Sequence, residues 1–272
     1  MGVAAISYDR PDVLAKFAAE RGIEFPLLSD PDSAVIKRFG LLNTVVDEAF
    51  GPRKDDPDVK ADVARYVSGV GATARMAGMA FPGTIVVDRR GRVTSRFFEE
   101  SYVERHTWSN IALRLGGSAP VFGTRTETSH LAVTAYPSDT TVAVGNHFSL
   151  TLDIVPKRAI HVYAPGAANY RPIALRIDPQ PFVRLEPLEY PPSETYFFRP
   201  LNERVPVYQR PFRLVQRVAL EGTRDAQAAL KGRDTLVLSG VLDYQACDDK
   251  VCFNPVSVPQ SWAVALRPLV GR

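Results

Sequence analysis

The first part of the chain alternates short apolar runs with segments of helical periodicity. An apolar run at residues 3–7 predicts a strand buried on both faces. Residues 13–18 then repeat apolar side chains at helical spacing, with Asp9 ahead of them as a candidate N-cap. A second strand at 25–28 and a second helix, ended by Gly40, repeat the order. Strands that alternate with helices predict an α/β domain.

The α/β pattern is interrupted and then resumes. Residues 43–80 contain a charged patch, one predicted helix at 59–67 and a Gly/Ala/Met-rich stretch. We interpret this segment as an insertion or a solvated surface connection. Strands predicted at 84–87 and 93–98 enclose a turn, and a helix predicted at 102–115 closes the domain.

Beyond residue 125 the helical periodicity almost vanishes, and short strands alternate with Pro, Gly and Asn. Regular short strands with turn signals between them predict an antiparallel β-sandwich. Many prolines fall where strand edges and turns are expected, which fits this interpretation. The predicted strands are 130–135, 147–154, 160–163, 173–177, 213–220, 235–244 and 261–267.

Length and composition agree with two soluble domains. A chain of 272 residues corresponds to about two domains at roughly 150 residues each. We place the first domain at 1–116, with the insertion at 43–80, a linker at 117–125 and the sandwich at 126–272. The net charge of +3 is too small over this length to favour nucleic acid or an anionic membrane as partner. No apolar run approaches the roughly 18 residues that a bilayer span needs.

Both cysteines lie in the segment YQACDDKVCFNP, residues 244–255. An alternating strand leads into Cys247, the chain turns at residues 248–250, and it returns through Cys252. Such a hairpin can bring the two Cα atoms within the roughly 4.4–6.8 Å that a disulfide requires. A disulfide across so short a loop would stabilise the fold by only about 2 kcal/mol. A sandwich of this size has enough core not to need it.

Three interpretations of the cysteine pair stay open on the residues alone: a redox pair, a structural clip, or half of a metal site. A short-loop disulfide near an exposed tip is accessible to a partner thiolate, which favours the redox pair. Two cysteines supply only half of a zinc site, and no histidine lies at ligand spacing from them. The histidines of the chain are His106, His130, His147 and His161. Acidic Asp248 and Asp249 disfavour a thiolate while Lys250 favours one, so the reactivity stays undecided.

The cysteine segment, the sandwich pattern before it and the strand SVPQSWAVAL after it resemble the N-terminal periplasmic domain of the bacterial thiol:disulfide interchange protein DsbD family. The resemblance covers about residues 126–270. It implies an immunoglobulin-like sandwich that relays reducing equivalents by disulfide exchange. It also implies that Cys247 and Cys252 are the exchanging pair, with Cys252 favoured as the attacking cysteine.

The same resemblance assigns surroundings to the cysteine pair. The stretch HVYAPG, residues 161–166, resembles a strand of that family and implies that Tyr163 lies near the cysteines. The aromatic run Tyr196, Phe197 and Phe198 would form a cap that shields the disulfide. Core packing is the alternative role for these three aromatic side chains.

The first domain carries a second resemblance. Residues 5–43 and the stretch FPGTIVVDRRGRV, residues 81–93, resemble the redoxin or AhpC/TSA family of peroxiredoxin-like proteins. The resemblance implies a thioredoxin-like fold in which Pro82 is a cis-proline that lines the active site and Thr84 follows it. That family carries its nucleophilic cysteine before the strand at 3–7, whereas this chain has no cysteine before Cys247.

This departure from the family pattern affects the expected N-terminus. We expect the chain to be a fragment that lacks the first strand–helix unit of the redoxin domain. A degenerate redoxin domain kept for binding is the alternative. The N-terminal residues MGVAAISYDR do not form a signal peptide. We therefore expect a periplasmic or otherwise extracytoplasmic location, with the signal lost upstream, or a cytoplasmic one if Met1 is the true start.

The two resemblances together give the expected fold class and function. We expect an α/β thioredoxin-like domain, incomplete at its N-terminus, followed by an all-β immunoglobulin-like sandwich. The function would be that of a bacterial thiol-disulfide oxidoreductase or peroxiredoxin-like antioxidant protein, with thioredoxin-like or DsbD-type partners and possible reduction of peroxide. No cofactor and no metal are expected. The alternative is a non-catalytic binding module whose cysteines form a structural disulfide.

Overall fold

The computed structural model describes residues 2–69, 78–99, 103–117, 123–198 and 202–268. The chain divides into two compact units, one made of Met1–Arg105 with Gly222–Asp225 and the other of His106–Glu221 with Ala226–Arg272. The Gly/Ala/Met-rich stretch and most of the predicted linker lie outside the described residues. The domain boundaries inferred from the sequence stay a prediction.

Strands and helices alternate in the first unit, as the sequence pattern predicts. Its elements are β1 (Ala5–Ser7), α1 (Pro11–Arg21), β2 (Leu27–Ser29), α2 (Ala34–Arg38), α3 (Thr44–Ala49), α4 (Pro57–Gly69), β3 (Gly83–Val87) and β4 (Val93–Phe98). The expected N-cap role of Asp9 is wrong, because Pro11 takes the first helical position and Arg10 therefore occupies the cap. Gly22 ends α1 in the left-handed conformation, at φ 62°.

The predicted burial of the first strand is wrong. Strand β1 pairs in parallel with β2, and these two strands form a sheet of their own among the described residues. Ile6 on β1 is 42% exposed, and its partner Leu28 on β2 is 48% exposed. An apolar run is typical of a parallel strand that is covered on both faces. In the described residues this strand has a single hydrogen-bonded neighbour, and its side chains face solvent.

The described part of the segment 43–80, residues 43–69 and 78–80, is more than a solvated connection. It contains α3 as well as the predicted helix, which is α4. The Asn43 side chain accepts a hydrogen bond from the Val46 backbone N–H and so caps α3. Val46 and Val59 are both buried. Apolar side chains on these two helices therefore form part of the core of the first unit.

Strands β3 and β4 form the predicted antiparallel hairpin. Pro82 directly precedes β3, and Thr84 lies within it opposite Phe97. The expected cis-proline is wrong, since no peptide bond between described residues is cis. The Pro82 carbonyl accepts a hydrogen bond from the Glu99 backbone N–H at 3.1 Å, which extends the hairpin pairing. Extended pairing at this position does not require the tight turn that a cis bond holds.

The second half of the chain is largely β-structure. Its elements are β5 (Arg105–His106), α5 (Trp108–Arg114), β6 (Thr124–Glu127), β7 (Leu131–Pro137), β8 (Thr141–Val142), β9 (Asn146–Pro156), β10 (His161–Tyr163), β11 (Ala174–Ile177), β12 (Val183–Leu185), β13 (Glu194–Phe198), β14 (Glu203–Tyr208), β15 (Phe212–Leu220), α6 (Arg224–Leu230), β16 (Thr235–Tyr244), β17 (Ala246–Cys247) and β18 (Val256–Leu266). All seven strands predicted from the sequence are present. The helix predicted at 102–115 is α5, whose first turn is capped by the Thr107 side chain.

Three sheets make up the second unit in the part of the chain that the structure describes. One runs β12-β15-β9-β7-β6, another runs β11-β16-β18-β8, and the third runs β13-β14-β10-β17. Burial alternates along β16 and β18, as it does in strands with one face on a core. A single hydrophobic cluster joins the first two sheets; its largest fully buried members include Phe148, Leu150, Leu238 and Trp262.

The third sheet presents the cysteine segment. Strand β10 lies between β14 and β17, and its pairing with β17 sets His161 opposite Cys247. Strand β10 is therefore hydrogen-bonded to a neighbouring strand on each side.

Among the described residues, no helix is both long enough and apolar enough to cross a membrane.

Candidate functional site

The turn between the two cysteines is closed by its own hydrogen bonds. The Asp248 side chain accepts from the backbone N–H groups of Lys250, at 2.8 Å, and Val251, at 2.6 Å. The Asp248 N–H donates to the Val251 carbonyl at 3.0 Å, and the Phe253 N–H donates to the Ala246 carbonyl at 2.9 Å. The two backbone donors hold the pKa of Asp248 below its ordinary value. The aspartate in this turn is thus a local structural element.

Cys247 and Cys252 form a disulfide, with their Cα atoms 4.2 Å apart. The two residues differ sharply in exposure, because Cys247 lies fully buried in β17 whereas Cys252 is exposed. A thiolate from another protein can therefore approach Cys252 from solvent, while Cys247 faces the interior. The arrangement suits thiol–disulfide exchange, in which a thiolate attacks one sulfur and the other leaves.

Tyr163 lies against both sulfur atoms. Its hydroxyl oxygen is 2.9 Å from the Sγ of Cys247 and 3.3 Å from the Sγ of Cys252. The side chain is 2% exposed, and burial raises the pKa of the phenol well above its ordinary value. The hydroxyl therefore keeps its proton and can donate a hydrogen bond to a thiolate that forms at either cysteine.

Tyr170 and Glu203 lie beside Tyr163. The rings of Tyr163 and Tyr170 stack with centroids 4.0 Å apart, and the Tyr170 hydroxyl donates to Glu203 at 2.7 Å. That hydrogen bond raises the pKa of Tyr170. Sequence reasoning missed both residues; the signal for Tyr170 is an aromatic residue just beyond HVYAPG, and Glu203 gives none.

His161 lies opposite Cys247 in the sheet and next to Tyr163. The residue is 4% exposed and directly opposes Cys247 across the β10–β17 pairing. Its ring packs against Tyr196 with centroids 4.4 Å apart. Burial lowers the pKa of His161, and the nearby Asp248 carboxylate opposes this effect. The sequence motif HVYAPG thus contributes two side chains to this site, of which Tyr163 alone was assigned from the sequence.

Gln245 connects the cysteine hairpin to the loop that carries Tyr170. Its amide nitrogen donates to the Phe253 carbonyl at 3.1 Å, and its amide oxygen accepts from the Arg171 backbone N–H at 3.0 Å. One side chain therefore fixes the segment after Cys252 against the segment after Tyr170.

The predicted aromatic cap divides among different environments. Tyr196 packs beside His161, Phe197 is 42% exposed with Arg204 over its ring, and Phe198 is 8% exposed. Successive side chains of β13 point to opposite faces, which explains the separation. The cap role of the run stays a prediction, as do the roles of Pro82 and Thr84, which lie in the first unit.

We expect Tyr163→Phe to slow thiol–disulfide exchange by about tenfold, because a hydrogen bond to a charged acceptor contributes roughly 1.5–3 kcal/mol. The ring and its stack on Tyr170 remain, so the fold should be unchanged. Stopped-flow reduction of the disulfide by dithiothreitol measures the effect. Tyr190→Phe, at a tyrosine that is 37% exposed, is the matched control. Equal rates in the two variants would show that the hydroxyl plays no part.

Comparison with known proteins gives one family match and several similar structures. The model of the AhpC/TSA family matches residues 1–96, which confirms the redoxin resemblance of the first part of the chain. No curated protein sequence matches the chain.

Three solved structures illustrate the structural similarity. The N-terminal periplasmic domain of ScsB from Proteus mirabilis is 14% identical in sequence and gives a TM-score of 0.35; the match covers 52% of this chain and 48% of the ScsB chain. The reduced N-terminal domain of DsbD from Neisseria meningitidis is 16% identical and gives a TM-score of 0.30; the match covers 43% of this chain and 81% of the DsbD chain. The SrpA adhesin of Streptococcus sanguinis is 17% identical and gives a TM-score of 0.27; the match covers 53% of this chain and 59% of the SrpA chain. The chain thus spans about half the length of the ScsB domain.

Proposed function

We propose that this chain is a thiol–disulfide exchange protein that passes electrons through Cys247 and Cys252. The observation that carries the proposal is the disulfide itself, in which an exposed Cys252 is joined to a buried Cys247 beside the Tyr163 hydroxyl. Two further observations support it. Residues 1–96 match a redoxin family, and the segment YQACDDKVCFNP resembles the cysteine hairpin of DsbD-type domains.

The proposed reaction begins when a partner thiolate attacks the Sγ of Cys252. A new disulfide forms between the partner and Cys252, the Cys247–Cys252 bond breaks, and Cys247 leaves as a thiolate. The Tyr163 hydroxyl, 2.9 Å from that sulfur, donates a hydrogen bond to the buried charge. A second partner thiolate then releases Cys252, so that the partner is oxidised and the pair holds two electrons as thiols.

The pair passes its electrons on by the reverse steps. The Cys252 thiolate attacks an acceptor disulfide, and Cys247 then attacks Cys252 to release the reduced acceptor. Exposure of Cys252 supports its role as the attacking cysteine, which the family resemblance also favours.

Thioredoxin-like proteins are the proposed partners, and an immunoglobulin-like sandwich is the proposed fold of the second domain. An extracytoplasmic location fits a protein whose cysteines are joined, because disulfides persist in oxidising compartments. Peroxide reduction by the first domain is not part of the proposal, since the chain has no cysteine in residues 1–246.

A binding module with a structural disulfide is the second candidate. It is favoured by the first unit, which matches a redoxin family but contains none of the cysteines of the chain. In that case the pair would hold the hairpin and would not exchange under physiological conditions.

The reduction potential of the Cys247–Cys252 pair separates the two candidates. We expect a value between about −270 and −120 mV, the range of proteins that exchange disulfides. The purified chain is equilibrated in glutathione buffers of graded ratio, acid-quenched, and its free thiols are counted. The variant that lacks both cysteines gives the baseline. A potential below about −300 mV would reject exchange and support the structural disulfide.

A further inference from the structure

The thiol proton of the buried Cys247 needs an acceptor when the pair is reoxidised. When a reduced pair resolves a mixed disulfide at Cys252, Cys247 must first lose its proton, since the thiolate and not the thiol is the nucleophile. Cys247 is fully buried, so water is a poor acceptor at this position. Tyr163 keeps its own proton, so it is not the base that takes the proton of the thiol. The site therefore needs another group to accept the thiol proton.

His161 is placed to be that group. It is the direct cross-strand partner of Cys247 in the antiparallel β10–β17 pairing. Side chains of directly opposed residues lie on one face of the sheet, with their Cβ atoms about 5 Å apart. Both residues are buried, at 4% and 0% exposure. A histidine beside a cysteine is a common means of activating a thiol.

The ring of His161 is held in place but left free to exchange a proton. Tyr196 packs against one face with centroids 4.4 Å apart, and Tyr163 meets the ring edge-on at 5.8 Å. Among the described residues, no group forms a hydrogen bond with either ring nitrogen. Burial favours the neutral imidazole, which is the form that accepts a proton.

Among the groups around His161, the Asp248 carboxylate favours proton transfer to the ring and so works against burial, which lowers the pKa of His161. The titratable groups that face it are Tyr163 on β10, Cys247 and Asp248 in the cysteine hairpin, and Tyr196 on β13. Asp248 is the charged member of this set, and its carboxylate stabilises a positive charge on the imidazole. A thiolate at Cys247 would add a second negative charge near the ring.

We infer that His161 is the proton acceptor for Cys247 in the resolving step, an inference that rests on the proposed exchange function. The Cys247 thiol gives its proton to the neutral imidazole, and the thiolate attacks the Sγ of Cys252. The Cys247–Cys252 bond forms, the bond from Cys252 to the acceptor breaks, and the acceptor leaves as a thiolate with the electron pair. Loss of the proton from the imidazolium restores the neutral ring.

The inference is tested by titrating the Cys247 thiol alone. Cys252→Ser leaves Cys247 as the sole thiol of the full-length chain, and its ionisation is followed by thiolate absorbance at increasing pH. Adding His161→Phe keeps an aromatic ring against Tyr196 but removes the proton acceptor. We expect the pKa of Cys247 to rise by about one unit, which means roughly tenfold less thiolate at neutral pH.

Two further variants keep the test decisive. His161→Gln, in the same background, provides a smaller polar replacement if the phenylalanine disturbs folding, and the same rise is expected. His130→Phe is the control, because that ring packs against Phe253 at 4.5 Å and does not oppose Cys247 in the sheet. A Cys247 pKa that is unchanged in either folded His161 variant would overturn the inference.

The outcome is separable from that of the proposed function. The titration uses reduced protein with no partner, whereas exchange is judged from the reduction potential of the intact pair. If the Cys247 pKa is unchanged and the reduction potential of the pair lies in the exchange range, the role of His161 is rejected and the exchange function stands. A potential in the structural range removes exchange, and a shifted pKa would then describe only the local electrostatics of Cys247.

Discussion

Two variants, Cys252→Ser and Cys247→Ser, each keep one thiol that can react with glutathione disulfide. We expect the reaction to be slower in Cys252→Ser than in Cys247→Ser, on the order of a hundredfold. The reason is the difference in burial between the two cysteines. In Cys247→Ser the remaining thiol is the exposed Cys252, whereas in Cys252→Ser it is the fully buried Cys247. Mass spectrometry of the intact chain over time measures the rate at which each variant gains the glutathione adduct.

The lifetime of the adduct adds a second expectation. In Cys247→Ser the adduct should persist, because no second thiol is present to displace glutathione. In the reduced wild-type chain it should be short-lived, since Cys247 attacks Cys252 and the intramolecular disulfide returns. Unfolding both variants in denaturant is the control and should equalise their rates. Equal rates in the folded variants would mean that the chain does not direct attack to Cys252.

Phe148→Ala is expected to lower the free energy of unfolding of the second unit by about 3–5 kcal/mol. Phe148 lies on β9, is fully buried, and belongs to the hydrophobic cluster that joins two of the sheets. Removing its ring leaves a cavity in that cluster. Urea unfolding followed by tryptophan fluorescence measures the change, because both tryptophans, Trp108 and Trp262, belong to this unit.

The matched control for the core is Phe197→Ala. Phe197 is the same residue type in a strand of the same unit but is 42% exposed. We expect this substitution to change the free energy of unfolding by less than about 1 kcal/mol. A loss below about 1.5 kcal/mol for Phe148→Ala would contradict the assignment of β9 to the core.

Regular short strands separated by turn residues predicted the strands that border the core, and period-two alternation supported the one that leads into Cys247. The strands around Phe148 and Leu238 repeat apolar residues on one face over many positions, and such a pattern has one consistent explanation. Strand β17 has only two residues, which is too short to show a period. It was not predicted as a separate strand for that reason, although it carries Cys247.

Two predictions from local sequence patterns were wrong, the burial of β1 and the N-cap of α1. The apolar run of β1 has the composition of a buried strand, yet Ile6 is exposed because the sheet has two strands in the described residues. Asp9 is a good capping residue, but Pro11 moves the helix start so that Arg10 takes the cap. Burial and cap position depend on neighbours that a local pattern does not contain.

The candidate site divides in the same way. The cysteine hairpin could be predicted because its residues are adjacent in the chain. The contact of Tyr163 with the sulfurs spans more than eighty residues, and it was reached through a family resemblance. The hydrogen bond from Tyr170 to Glu203 also joins distant segments and leaves no mark on the sequence. Such side-chain contacts follow from the sheet pairing, which composition and spacing do not determine.

The hydrogen bonds of the cysteine hairpin have a consequence for the reduced state. The Asp248 turn, the Phe253–Ala246 backbone bond and the Gln245 bridge do not depend on the disulfide. They should therefore keep the two sulfurs adjacent after the S–S bond is broken, so that each thiol meets the other at a high effective molarity. Ring closure then competes with every external thiol in the solution. The strength of these hydrogen bonds, and not the cysteines alone, would set how readily the chain gives up its electrons.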